Sequence, residues 1–307
     1  MLRKKKLILI IAILAFAMFS VVGCGGGDTE PSDQADQTVK DKFGGQIIGI
    51  DPGAGIMAAT ENALEEYDLD YELMEGSGAT MTATLQQAID NNEWVVVTGW
   101  APHWKFARWD LKFLEDPQGV YGEAETINTI VRLGLKEDLP EVYEVCDNFA
   151  WNSEQIGSAM GIADDVGDDV LAARQWVQEN TDLVNSWLPE GYDAAKTVDN
   201  PTKETVTLLY VEWACARAET HVMADVIQNI MGYKVELLSL SAAAMYEGLA
   251  NGQGDAIFTA WLPLTHGEYM KQVGERVEDL GPSYEGARIG LVVPAYVDIN
   301  SIEEMNN

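Results

Sequence analysis

Two stretches decide how this chain is read: EWVVVTGWAPHW at residues 93–104 and DAIFTAWLPLTH at residues 255–266. Each is an apolar run of strand length that opens into Trp-x-Pro. A run of that length, rich in β-branched residues, fits a strand buried on both faces. In the first, two indoles and an imidazole (Trp100, Trp104 and His103) stand at the strand exit, with no charged side chain before Lys105. A bare aromatic surface at such a place needs an explanation.

Working outward, each stretch closes a longer unit. Residues 46–104 read QIIGID, GIMAATENALEEY, DYELMEG, TMTATLQQAIDNN and then the first stretch. Residues 205–266 read TVTLLYVEW, ETHVMADVIQNIMG, YKVELLSLS, AAAMYEGLANG and then the second. Both alternate strand and helix, and the helices carry apolar faces at 3.6-residue spacing. A repeated βαβαβ unit predicts two lobes, each a mostly parallel sheet flanked by helices. Ligands of such sheets sit beyond the carboxyl ends of the strands, so two facing lobes enclose a cleft. Residues 123–195 read as mostly helical, with Trp151, Trp176 and Trp187 as packing residues. INTIVRLGL (residues 127–135) and GARIGLVVPAY (residues 286–296) are apolar strands that could carry the chain between lobes as a two-strand hinge. The expected division is residues 46–133 plus 294–307 for one lobe and residues 134–293 for the other.

The strand ends bring a particular chemistry to that cleft. The opening strand of the first unit ends in Asp51-Pro52-Gly53-Ala54-Gly55-Ile56, so glycines lead directly into a helix. Free N–H groups and the positive end of the helix dipole make an anion site there. The second unit's opening strand ends in Glu212-Trp213, and the closing strands end in Trp100 and Trp261, with His266 five residues on. Indole faces attract cations, best when the cation has no proton to donate. The implied ligand is a small zwitterion with a methylated nitrogen at one end and a carboxylate or phosphate at the other.

The composition sets the surroundings. Of 307 residues, 47% are apolar, enough for real cores. Against 50 Asp and Glu stand only 19 Lys and Arg; so acidic a surface repels nucleic acid and anionic lipid. Residues 3–6 are basic and residues 7–19 apolar, a run too short to span a bilayer comfortably. Val21-Val22-Gly23-Cys24 follows, which resembles a bacterial lipoprotein cleavage box with Cys24 as the lipidated residue. Residues 1–23 are therefore expected to be a signal peptide. Residues 24–45, polar and Gly-rich, are expected to be a flexible tether. Cys146 and Cys215 read as two small buried hydrophobes.

The pattern IIGIDPGAGIM, VVTGWAPHWKFARWDLKFLEDPQGVYGEAE, LLYVEW, AWLPLTH and IGLVVPAY resembles the glycine betaine-binding proteins of osmoprotectant ABC transporters. The resemblance runs from Gln46 to the end. It implies a two-lobed type II periplasmic-binding-protein fold, in the permuted variant whose GIDPG lobe comes first. It also implies a prism of Trp100, Trp213 and Trp261 around a trimethylammonium, with the ligand carboxylate on the Gly55 and Ile56 N–H groups and His266. The implied partners are a permease and, through Cys24, the outer face of the membrane; no cofactor, metal or catalysis is implied. Ala214-Cys215-Ala216 departs from the Asp-Ser-Glu that often follows the family's tryptophan. Choline or carnitine is the alternative ligand within the class.

A reading from a different class comes from Gly53-x-Gly55-x-x-Ala58, with Glu75 about 20 residues on, which fits a dinucleotide-binding fingerprint. Pro52 in the turn, the secretion signal and the second unit's lack of these glycines weigh against it. Among the other polar candidates, His103 reads as a satisfied loop histidine and His221 as a helix residue.

Overall fold

The computed structural model describes residues 37–307. The signal peptide and the lipidation site Cys24 lie outside the described residues. The chain opens with a short helix, α1 (Val39–Lys42), and then enters the first repeat: β1 (Gln46–Ile48), α2 (Gly55–Glu66), β2 (Glu72–Met74), α3 (Gly78–Asn91) and β3 (Val97–Ala101). Strand β1 is parallel to both β2 and β3. A one-turn helix, α4 (Lys105–Arg108), and β4 (Leu111–Phe113) follow, and then β5 (Glu125–Arg132).

The middle of the chain is helical, as its composition implied: α5 (Leu135–Asp138), α6 (Pro140–Asn148), α7 (Ser153–Val166), α8 (Asp169–Glu179) and α9 (Thr181–Trp187). Helices α8 and α9 carry the packing indoles Trp176 and Trp187, and the link between α6 and α7 carries Trp151. Trp151 meets Trp176 edge-on at 5.6 Å between ring centres, Trp176 stacks on Trp187 at 6.2 Å, and Phe149 joins Trp187 to Phe258.

The second repeat runs β6 (Thr205–Tyr210), α10 (Ala214–Asp225), β7 (Lys234–Ser239), α11 (Ala242–Ala250) and β8 (Ala256–Leu262), with β6 parallel to β7 and β8. Both repeats thus place the first strand between the other two. Helix α12 (Gly267–Val273) leads to β9 (Val277–Pro294), the longest strand at 18 residues. From Val277 to Ala287, β9 pairs antiparallel with β5; from Arg288 to Val292 it pairs antiparallel with β3. The sheet order is β2-β1-β3-β9-β5-β8-β6-β7, with β4 also on β9. One strand therefore runs through both lobes.

Two expectations shift. Strand β5 was assigned to the first lobe by the division at 133/134, but its partners are β8 and the first part of β9. The reverse holds for the end of β9, residues 288–293, which pair in the first lobe's sheet. Sheet partnership is long-range information, and each of these strands is equally apolar on either assignment. The tether is also shorter than residues 24–45. Thr38 and Asp41 form a capping box at the start of α1. Phe43 is buried, with its ring 5.2 Å from Trp94 and 6.4 Å from Tyr71. The Val39 N–H donates to the carbonyl of Asn307, so this segment is folded against the body.

Cys146 and Cys215 are both free and buried, as expected of small apolar side chains. No helix among the described residues is long and apolar enough to cross a membrane.

Truncating Phe43 removes an aromatic side chain from a packed site. We expect Phe43→Ala to lower the unfolding free energy by about 3 kcal/mol in urea denaturation. An unchanged midpoint would return residues 37–45 to the role of tether.

Candidate functional site

Four strand ends meet in one cavity. Its walls include all six residues singled out in the sequence: Gly55, Ile56, Trp100, Trp213, Trp261 and His266. The space, counted to its mouth, is about 320 Å³, at the small end of the range for small-molecule sites. Its four side chains of interest are buried, with Trp100 at 4%, Trp213 at 7%, Trp261 at 3% and His266 at 1% exposure.

Each position follows from local structure. Trp100 and Trp261 are the penultimate residues of β3 and β8, lying inside their strands rather than beyond them, as the sequence suggested. Each strand is followed by a cis Xaa–Pro bond, Ala101–Pro102 and Leu262–Pro263. Trp213 is the N-cap of α10, one short turn past β6. The chain from β1 turns through residues 49–54 into α2, whose N-cap Ala54 supplies no side-chain cap. Among the described residues, the Gly55 and Ile56 N–H groups donate no hydrogen bond. They remain open donors at the positive end of a 12-residue helix. Gly55 has to be glycine: a Cβ there would lie 2.1 Å from the carbonyl oxygen of Thr265 in the facing lobe.

His266 has a defined hydrogen-bonding state. Its Nδ1 accepts from the Trp261 N–H at 3.1 Å, and the Tyr246 hydroxyl lies 3.2 Å from the same atom. Burial pushes its pKa down to about 3, so the ring is neutral. With Nδ1 accepting, the proton resides on Nε2. That buried Nε2 has no partner among the described residues. The ring lies against Trp213, 5.5 Å between centres.

A carboxylate that the sequence did not single out holds this loop. Glu125, 2% exposed, accepts from the Leu264 and Thr265 N–H groups, both at 2.8 Å, through one oxygen. Its other oxygen accepts from the Thr265 hydroxyl. Three donors on two adjacent residues fix the approach to His266. In sequence, Glu125 is one of 50 acidic residues, and only the β5–β8 pairing gives it this role. Ile50, Cys215, Thr265 and Ile289 also line the cavity without having been singled out. Thr265 adjoins His266 in sequence, whereas Ile289 arrives by pairing with Trp100 across the sheet.

The lobes meet around the cavity through direct bonds. The Trp213 indole N–H donates to Asp51 at 3.3 Å, and the Tyr269 hydroxyl donates to the Gly53 carbonyl at 2.8 Å. Farther out, Arg108 of α4 reaches Asp164 at 2.5 Å and Asp165 at 3.2 Å, both on α7. This is a closed arrangement. It also bears on the dinucleotide reading, because Thr265 and Tyr269 cover the Gly53–Gly55 turn. Space remains for a small anion but not for a pyrophosphate carrying two nucleosides.

The remaining histidines behave as packing residues. His103 accepts the Lys105 N–H at 3.1 Å and sets its edge against Trp100. His221 bonds to the Arg217 carbonyl within α10. Among the described residues, no group of three or more His, Cys, Asp or Glu side chains is placed to hold a metal ion.

Comparison with known proteins shows the family. Residues 29–179 and 204–307 match the family model described as the substrate binding domain of ABC-type glycine betaine transport system. The glycine betaine/carnitine transport binding protein GbuC of Listeria monocytogenes serotype 1/2a (strain 10403S) is 42% identical over 305 residues, covering 98% of both chains. Lactococcal OpuAC, solved closed and liganded with glycine betaine, is 39% identical, with a TM-score of 0.46 over 52% of this chain and 65% of that one. The glycine/betaine/L-proline-binding protein ProX of Borrelia burgdorferi is 40% identical, with a TM-score of 0.47 over 52% of this chain and 64% of that one. The chain thus spans just under two thirds of the length of these two solved relatives. By its family model and its full-length relative, the chain belongs to the family of substrate-binding domains of ABC-type glycine betaine transport systems and has their type II periplasmic-binding-protein fold.

Proposed function

We propose that this protein captures glycine betaine between its lobes and presents it, outside the cytoplasm, to the permease of an ABC importer. One observation carries the reading: one buried cavity is lined both by three indoles and by the unpaired Gly55, Ile56 and His266 N–H donors. A trimethylammonium group has no proton to give, so carboxylates hold no hydrogen-bonding advantage over aromatic faces. Trp100, Trp213 and Trp261 offer π faces to the cation and apolar surface to its methyls. The Gly55 and Ile56 N–H groups and the His266 Nε2–H are the donors for the ligand carboxylate. The protein does no chemistry on this ligand; binding and closure are its work. Cys24 serves as the lipid anchor to the outer face of the membrane, and residues 1–23 are removed.

Ligand choice follows from the two ends. Choline lacks the carboxylate and would leave three buried donors dry, at a cost of about 1–3 kcal/mol each. Glycine fills the donor end, but its ammonium would lose hydration among indoles that accept no ordinary hydrogen bond. Carnitine, in the name of the Listeria relative, carries both groups at a wider separation and is the nearest competitor.

Replacing any one of Trp100, Trp213 or Trp261 by Ala is expected to weaken glycine betaine binding by about 1–3 kcal/mol, roughly 5- to 150-fold. Intrinsic tryptophan fluorescence titration reads this directly, and unchanged affinity in all three variants would remove the cage. His266→Ala is expected to weaken betaine by a similar amount through the lost donor while leaving the weak binding of choline nearly unchanged. Equal losses for both ligands would mean that His266 only supports the loop. Glu125→Ala frees two backbone donors and should lower thermal stability by about 2–3 kcal/mol. Because the loop carrying His266 loses its anchor, the same variant should weaken betaine in calorimetry; full affinity would detach Glu125 from the site.

A further inference from the structure

Lys105 is an anomaly in the first lobe. Its side chain has 0% exposure, yet no carboxylate pairs with it among the described residues. Its Nζ has one polar neighbour, the Thr98 carbonyl oxygen at 3.5 Å, the outer limit of a hydrogen bond. The same atom lies 4.8 Å from the centre of the Trp100 ring and 5.7 Å from that of Phe106. Gly99 is part of the arrangement: a Cβ there would come 3.2 Å from Nζ and 2.3 Å from Val292 of β9. Trp100 lines the ligand cavity and Lys105 does not. The indole therefore stands between the amine and any ligand.

We propose that Lys105 sets the cation affinity of the cavity: with its amine uncharged the Trp100 π system is left to the ligand's quaternary nitrogen, and with its amine protonated the same ring already carries a cation on its far side. This rests on the betaine reading above. An indole has one π system, and two cations sharing it repel each other in a dry medium. An unpaired ammonium at this depth is costly, so the uncharged amine is readily reached. Burial brings the pKa of Lys105 down to about 7. A bound cation lowers it further, so betaine binding expels a proton from Lys105.

The neighbouring titratable groups stay silent in the relevant range. His103, from the same loop, is held well below its ordinary value by burial and by Lys105. Cys215, from α10, is pushed up by burial; from β9, Val292 lies nearest Gly99 and Arg288 sits over Phe113, the ring stacked on Phe106. His266 is already neutral. Glu219 lies one turn beyond Cys215 on α10, fully buried, with burial raising its carboxyl well above the ordinary range. It is the one competing source of a titration.

Calorimetric titration of the whole protein with glycine betaine at pH 6.0, 7.0 and 8.5, in buffers of different ionisation enthalpy, tests the proposal. At pH 6.0 about a tenth of Lys105 is uncharged, so binding should be roughly tenfold tighter at pH 8.5 than at pH 6.0. About half a proton should be released per ligand at pH 7.0. Lys105→Met should bind betaine at pH 6.0 roughly tenfold tighter than the wild type does at that pH, without proton release, while Glu219→Gln should keep the wild-type pH dependence. Equal wild-type affinities at pH 6.0 and 8.5 with no proton release would overturn the role of Lys105 and leave the betaine reading standing. Absence of binding at every pH would overturn both. A pH dependence lost in Glu219→Gln and kept in Lys105→Met would assign the proton to Glu219 instead. The proton-release measurement needs no variant, so a poorly folding Lys105→Met leaves the test intact.

Discussion

The two lobes hang on one strand. Strand β9 hydrogen-bonds to β5 with its first part and to β3 with its second, and the cavity lies beside that change of partner. Trp100 pairs with Ile289 on β9, while Trp261 pairs with Ile127, which in turn pairs with Tyr284 five residues earlier on the same strand. Two cavity-lining indoles from opposite lobes are thus positioned against a common backbone. Backbone ladders hold register firmly because a slip of one residue turns every side chain to the other face. The sheet register thus places the site.

Closure changes the electrostatics of everything it covers. Burial keeps His266 neutral even in mild acid, and its proton sits on Nε2 because the Trp261 N–H and the Tyr246 hydroxyl occupy the Nδ1 side. Glu125 tolerates burial because three donors surround it. Lys105 has no such compensation, and its native pKa lies below that of an unfolded lysine. In that interval the unfolded chain binds more protons, so Lys105 costs stability as pH falls toward 7. A buried and uncompensated charge beside a binding surface is the kind of local inconsistency that function tends to retain. The surface bonds between lobes differ in kind. Arg108 with Asp164 and Asp165 is partly exposed and open to screening by salt, whereas the indole walls are not.

Much of this was legible in the sequence because the repeat wrote the same signal twice. Two apolar strands ending in Trp-x-Pro, each closing a βαβαβ unit, located Trp100 and Trp261. The glycine-led helix start located Gly55 and Ile56, and the end of LLYVEW located Trp213. What escaped notice depends on distant partners. Phe43 sits in a polar segment and is buried only because Trp94 and Tyr71 receive it. Strand β5 looks equally at home in either sheet. Glu125 is one acid among many until β8 brings Leu264 and Thr265 to it. In sequence Lys105 is only the first charged residue after an aromatic run, and only the fold shows that it is buried against Trp100.

On the betaine reading, methyl groups on the cation add to its charge in setting the affinity of this cavity. The most direct measurement is a calorimetric series at pH 8.5 with glycine, N-methylglycine, N,N-dimethylglycine and glycine betaine, which share one carboxylate and differ only in methylation. The account predicts that affinity climbs with every methyl added and is greatest for glycine betaine, as each N–H that needs solvation is replaced by surface that packs on indole. A flat series, or one in which glycine binds best, would contradict it.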